Sequence, residues 1–152
     1  MPVQRAVAAP TRHPGQGRAA QSHHDGRRNA GQQGVRIGLW RGQARDLVFG
    51  VVRAADVVLE NFSPGVMTRY GLDAAVLRAE FPELVYCSIS GFGQTGPLSS
   101  MQAYAHLINA ISGMMDLDRG GEARPRVSYL QAADVLAGTH AFGAICAALL
   151  RR

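Results

Sequence analysis

With 152 residues, 47% of them hydrophobic and 18 of them glycine, the chain has room for one ordinary domain with a buried core and not for the two domains of many cofactor-using enzymes. Its formal charge of +5 does not belong to that domain: residues 1–36 hold six Arg against Asp25 alone, and the remaining residues hold ten Arg against ten acids. A nucleic-acid binder carries its basic face on its folded part, so the balance argues against DNA or RNA as a partner.

Residues 1–33 combine Arg, Gln, Gly, Pro and His with few large apolar side chains, which leaves too little surface to bury, and they read as a disordered basic tail. His23, His24 and Asp25 within it read as solvated, not as a metal site. From Val35 the texture changes. VRIGLW (35–40) alternates as a strand does, and QARDLVFGVVRAA (43–55) places Ala44, Leu47, Val48, Val51 and Val52 on one helical face. DVVLE (56–60) reads as a buried strand closed by the turn residues Asn61, Ser63, Pro64 and Gly65. A short helix is expected next, with Ser63 as cap, Pro64 in its first turn and Gly71 closing it.

Asp73 suits the cap of a second short helix through Glu80. LVYCSIS (84–90) is the clearest strand, rich in β-branched and aromatic residues, and GFGQTGP (91–97) is a loop. Two further helices are expected, around Met101–Met115 and around Leu130–Arg151. The alternation predicts an α/β domain with a mostly parallel sheet, flanking helices and a long apolar helix at the end, and ligands at the carboxyl ends of the strands. Two such ends are ENFSPG and SGFGQTGP.

Cys87 and Cys146 lie in apolar stretches without CxxC spacing and read as reduced, buried thiols, with no metal site. No segment reads as a signal peptide. The run Val135–Leu150, interrupted by Gly138, Thr139, His140 and Gly143, falls short of the ~20 residues of a membrane span and reads as a buried helix. A cytoplasmic location is the expectation.

The ordered series DVVLENFSPGVMTRYGL, LVYCSISGFGQTGP, a Tyr-containing helix and LQAADVLAG resembles the class III CoA-transferases, the formyl-CoA and carnitine CoA-transferase type that includes the L-carnitine dehydratase and bile-acid-inducible protein F group. The resemblance covers residues 34–152 and implies part of that family's Rossmann-like large domain. Upstream, NAGQQGVRIGLW is similar to a family segment in which an Asp is usual at Gly38 and a Lys near Gln32 or Gln33.

The family moves CoA from an acyl-CoA to a carboxylic acid through anhydride and thioester intermediates on an aspartate, with coenzyme A bound as substrate and no tightly held cofactor. The resemblance assigns that role to Asp134, in the first turn of an apolar helix whose dipole and dry surroundings would serve such a carboxylate. On local pattern alone Asp134 is a plain helix-end acid. For CoA the match carries over Asn61, Phe62, Ser63, Arg69 and Tyr104: amide and backbone groups for pantetheine or nucleotide, Phe62 for adenine, Arg69 for a phosphate. Arg69 as a surface charge and Phe62 as a core aromatic are the alternatives.

Related acyl-CoA racemases are expected to carry a base histidine where Tyr104 stands, so transferase chemistry is favoured and racemase chemistry is the alternative. The next family position is often acidic and is Ala105 here; His106, one place along, is expected to point elsewhere on the helix and reads as a surface or packing histidine, not a relocated base. GFGQTGP lacks the Lys and Ser/Thr of a P-loop. Family members are longer, which suggests a central piece of the enzyme, inactive alone, working with a complementary chain or as a homodimer, or surviving as a non-catalytic CoA-binding remnant.

Overall fold

The computed structural model describes residue 37 and residues 44–126 and 132–152. The tail expected over 1–33 and, but for Ile37, the strand expected over 35–40 lie outside the described residues. Helix α1 (Ala44–Val52) occupies the QARDLVFGVVRAA segment. Ala44 and Val52 are buried, but Leu47, expected beside them, is exposed. The core side of this short helix is set by Val48, Phe49 and Val52. At ~100° per residue Leu47 is turned about 140° from its centre.

Strands β1 (Val57–Glu60) and β2 (Val85–Ser88) pair in parallel, with Val58 opposite Tyr86 and Glu60 opposite Ser88. Parallel neighbours need a crossover, and helices α2 (Val66–Arg69) and α3 (Ala74–Glu80) supply it. Ser63 does not cap α2 through its side chain as expected. Its carbonyl accepts the Val66 N–H at 3.1 Å across Pro64 and Gly65, and Gly65 takes φ 83° and ψ −11°. Pro followed by a positive-φ Gly makes the centre of a type II turn, so the backbone does what the hydroxyl was expected to do. Gly71 at φ 62° ends α2 as expected, its N–H bonding Thr68 O while the Leu72 N–H bonds Met67 O. Asp73 caps α3, its carboxylate accepting the Val76 N–H at 3.0 Å.

Val52, Leu72, Leu77 and Leu84 form the core, with Phe49, Val58, Met67, Phe81 and Tyr86 among the side chains packed against it. Strand alternation turns Val58 and Tyr86 toward this layer and Leu59 away from it. Leu59 is 49% exposed, which corrects the expectation of a buried β1: the described sheet has two strands, and β1 is covered on the core face only. Cys87 and Cys146 are free and half-buried, not buried.

The helix expected over Met101–Met115 is two, α4 (Ala105–Ile111) and α5 (Met114–Asp118), separated at Gly113, whose φ of 81° a continuing helix cannot accept. The last helix, α6 (Ala132–Leu150), packs on α4 and β2. Arg152 just beyond it donates to the Asp56 carboxylate at 2.6 Å and to Glu83 O at 3.1 Å, which pins the carboxyl end of α6 beside the starts of both strands.

The expectation of a buried final helix is overturned, since no residue of α6 is buried and Phe142 is 71% exposed. With 19 residues and a mean hydropathy of 1.6, α6 is also long and apolar enough to cross a membrane by length and composition, contrary to the sequence reading. The residues that were to interrupt it do not: Thr139 Oγ1 donates to Val135 O and His140 Nδ1 bonds Leu136 O, each at 2.8 Å. Both polar groups are folded back onto the helix.

Candidate functional site

Residues two apart on a strand share a face. Beyond Val58 and Tyr86, that rule brings Glu60 and Ser88 to the core-side face at the carboxyl ends of β1 and β2, where a pocket of about 280 Å³ opens. Glu60, Tyr86 and Ser88 line it from the strands, Ser63 and Thr68 from the crossover, and Gln94 from the glycine loop. The crossover returns over the sheet and the glycine loop leaves from the end of β2, so both converge on one end of the sheet.

Glu60 is 8% exposed, and its Oε2 accepts the Phe62 N–H at 2.8 Å. Tyr86 donates its hydroxyl to Leu72 O at 3.2 Å. Burial, helped by the Glu60 and Asp73 carboxylates, pushes the phenol well above its ordinary value of 10.0 and keeps it neutral. Burial and then Glu60 also raise the Cys87 thiol above 9.0. No cation is among the described residues lining the pocket. Its carboxylates, hydroxyls and amide suit a ligand part bearing hydroxyl or amide groups, and not a phosphate.

In the glycine loop, Gly93 and Gly96 take φ of 81° and 97°. Gly91 is required for a different reason: a Cβ there would collide with the Cβ of Ala103 and meet Ile108 Cδ1 at 3.5 Å. Gln94 Nε2 donates to Ser90 Oγ at 3.3 Å.

Of the six residues assigned from sequence, Ser63 lines the pocket, and Asn61, Phe62, Arg69, Tyr104 and Asp134 do not. Asn61 is exposed and Phe62 half-buried beside it, while Arg69 is exposed in the last turn of α2. Tyr104 is 66% exposed and stands before α4 in extended conformation, φ −126° and ψ 160°. Its ring stacks on His106, centroids 6.3 Å apart and planes 19° apart. His106 is exposed and packed on Tyr104, the surface or packing histidine expected, but it lies beside Tyr104 because helical spacing does not apply to a Tyr104 outside the helix.

Asp134 stands in the first turn of α6 as expected, but it is exposed. The dry surroundings expected of it are not supplied by the described residues. Glu60, Tyr86 and Gln94 were not singled out from sequence, although period-two counting from Val58 and from the Tyr-Cys-Ser end of β2 would have put the first two on the pocket face.

The sequence pattern of the family described as CoA-transferase family III matches residues 3–152. The chain belongs to that family. It is 38% identical over 122 residues to a succinate–glutarate CoA-transferase of Agrobacterium fabrum, covering 80% of this chain and 30% of that protein. It is likewise 38% identical over 125 residues to an acetyl-CoA:oxalate CoA-transferase of Acetobacter aceti, covering 82% and 32%. Among solved structures it is similar to a CaiB/BaiF family protein of Brucella suis, with a TM-score of 0.77 and 38% identity over 82% of this chain and 33% of that one. A Mycobacterium tuberculosis protein superposes with a TM-score of 0.81 and 32% identity over 97% of this chain and 41% of its own. The chain thus spans about a third of the length of the curated relatives named here, and the family match takes in residues 3–33 of the N-terminal segment.

Proposed function

We propose that this chain carries part of the active site of a CoA-transferase that moves CoA from an acyl-CoA to a carboxylic acid, with Asp134 as the carboxylate that forms the covalent intermediates. The observation that carries the reading is the convergence of the ENFSPG and GFGQTGP loops on one pocket at the carboxyl ends of two parallel strands, where α/β sheets place their ligands, in a chain that belongs to this family.

In the proposed reaction an Asp134 carboxylate oxygen attacks the acyl-CoA carbonyl, forming a mixed anhydride and releasing the CoA thiolate. The thiolate attacks the aspartyl carbonyl, giving an aspartyl-CoA thioester and freeing the donor acid. The acceptor carboxylate then repeats the exchange in reverse order. The ENFSPG turn, Arg69 and Tyr104 hold the CoA, with Arg69 serving the phosphates that the pocket itself cannot.

An anhydride survives only where water is excluded, and Asp134 is exposed. Turnover therefore requires a cover for the α6 amino end, which we assign to a complementary chain or a second copy, the same association that would bury the apolar surface of α6 in a cytoplasmic protein. The test is to incubate the chain with a labelled acyl-CoA, quench, and look by mass spectrometry for an aspartyl-CoA or acyl adduct on the Asp134 peptide. An adduct abolished by Asp134→Ala is the expected result, and an adduct that persists in that variant would remove Asp134 from the role.

A further inference from the structure

The described residues include a buried carboxylate that the proposed reaction does not use. Glu60 closes β1 with its side chain inside the pocket wall, 8% exposed, and none of the ion pairs among the described residues involves it. An ionised carboxylate removed from water is costly unless hydrogen bonds compensate it. The compensation here is local: Oε2 accepts the N–H of Phe62 at 2.8 Å. The Glu60 main-chain carbonyl separately accepts the Ile89 N–H at 2.9 Å from the end of β2.

The two bonds act on opposite sides of one residue. The backbone bond ties Glu60 to the sheet, and the side-chain bond ties the chain two residues further on to Glu60. Asn61, between them, is held facing solvent, Phe62 is held half-buried beside it, and Ser63 is delivered to the pocket wall. Among the described residues, no other side-chain hydrogen bond tethers the segment between β1 and the Pro64–Gly65 turn. Glu60 also lines the pocket beside Tyr86 and Ser88, so it borders the pocket as well as holding the turn.

We infer that Glu60 is a positioning residue for the coenzyme A site: by accepting the Phe62 N–H it holds Asn61, Phe62 and Ser63 in the conformation that receives the ligand. The inference rests on the reading of the ENFSPG turn as part of the CoA site, and it concerns the geometry of an acceptor and not a charge contact with CoA. Three substitutions separate those possibilities. Glu60→Gln keeps an oxygen at the same reach, Glu60→Asp keeps the charge on a stem one methylene too short, and Glu60→Ala removes both.

CoA affinity of the full chain, measured by isothermal titration calorimetry beside thermal melting, is the readout. A hydrogen bond to a charged group sets the scale: Glu60→Ala and Glu60→Asp are expected to bind CoA about tenfold more weakly, and Glu60→Gln to recover to within about threefold of the unaltered chain. Hydrogen exchange at the Phe62 amide should accelerate in the Asp variant and stay slow in the Gln variant, which keeps the inference open to refutation should the Ala variant fail to fold. Equal affinity in all four proteins, with only the melting temperature lowered, would make Glu60 a structural residue and overturn the proposal. Gln weakened as much as Asp would overturn it too, by showing that charge and reach do not separate. No CoA binding by the unaltered chain, with Phe62 protected as described, would sink the site reading on which it depends.

Discussion

The two halves of the described chain are stabilised differently. From α1 to β2, helices close over one face of a parallel strand pair and bury Leu72, Leu77 and Leu84. From α4 to α6, the longest and most apolar helix contributes no buried residue. The hydrophobic effect rewards only area removed from water, so the same kind of side chain is worth much in the first half and little in the second. Apolar composition alone did not decide burial; the presence of a facing layer did.

The largest expected effect tests that contrast directly. Leu77, 0% exposed, should cost about 2–5 kcal/mol on Leu77→Ala, whereas Phe142→Ala in α6 should stay within about 0.5 kcal/mol in urea denaturation. A core-sized loss at Phe142 would break the comparison by showing that α6 is covered in solution. Next comes Gly91→Ala, whose Cβ would force Ala103 and the glycine loop apart at about 1–3 kcal/mol; a neutral result would mean that the loop yields freely. Asp73→Ala removes the cap of α3 and should lower stability by about 1 kcal/mol, measured the same way.

The legible parts of the fold were those governed by local backbone rules. Gly71 and Asp73 announced a helix end and a helix cap because positive φ and a capping oxygen are short-range demands. Ser63 was misread because Pro64 and Gly65 allow a type II turn as readily as a helix start, and the turn leaves the hydroxyl with no capping bond. Leu47, Leu59 and α6 were misread because burial depends on elements distant in sequence. For the site, the two loops could be found from their motifs, and Ser63 is the assigned residue that lines the pocket between them. Glu60 went unremarked because an acid at a strand end reads as solvated until its Phe62 contact is seen.

The smallest effect at neutral pH belongs to Tyr86, and it sharpens the comparison through pH. Its hydroxyl bond to Leu72 O is long, 3.2 Å, so Tyr86→Phe should cost only roughly 0.5–1 kcal/mol at pH 8. The folded chain holds the phenolic proton more tightly than the unfolded chain does, because burial and the Glu60 and Asp73 carboxylates disfavour the phenolate. The stability this confers is complete below the ordinary value of 10.0 and is lost as pH rises above it toward the folded value. The urea midpoint of the unaltered chain should therefore fall as pH climbs past 10, and Tyr86→Phe should flatten that fall. Removing the Asp73 carboxylate should soften it less, since burial is the larger cause. An alkaline fall of equal steepness with and without the phenol would place the titrating group elsewhere and show that Tyr86 is more open to water than its place between core and pocket implies.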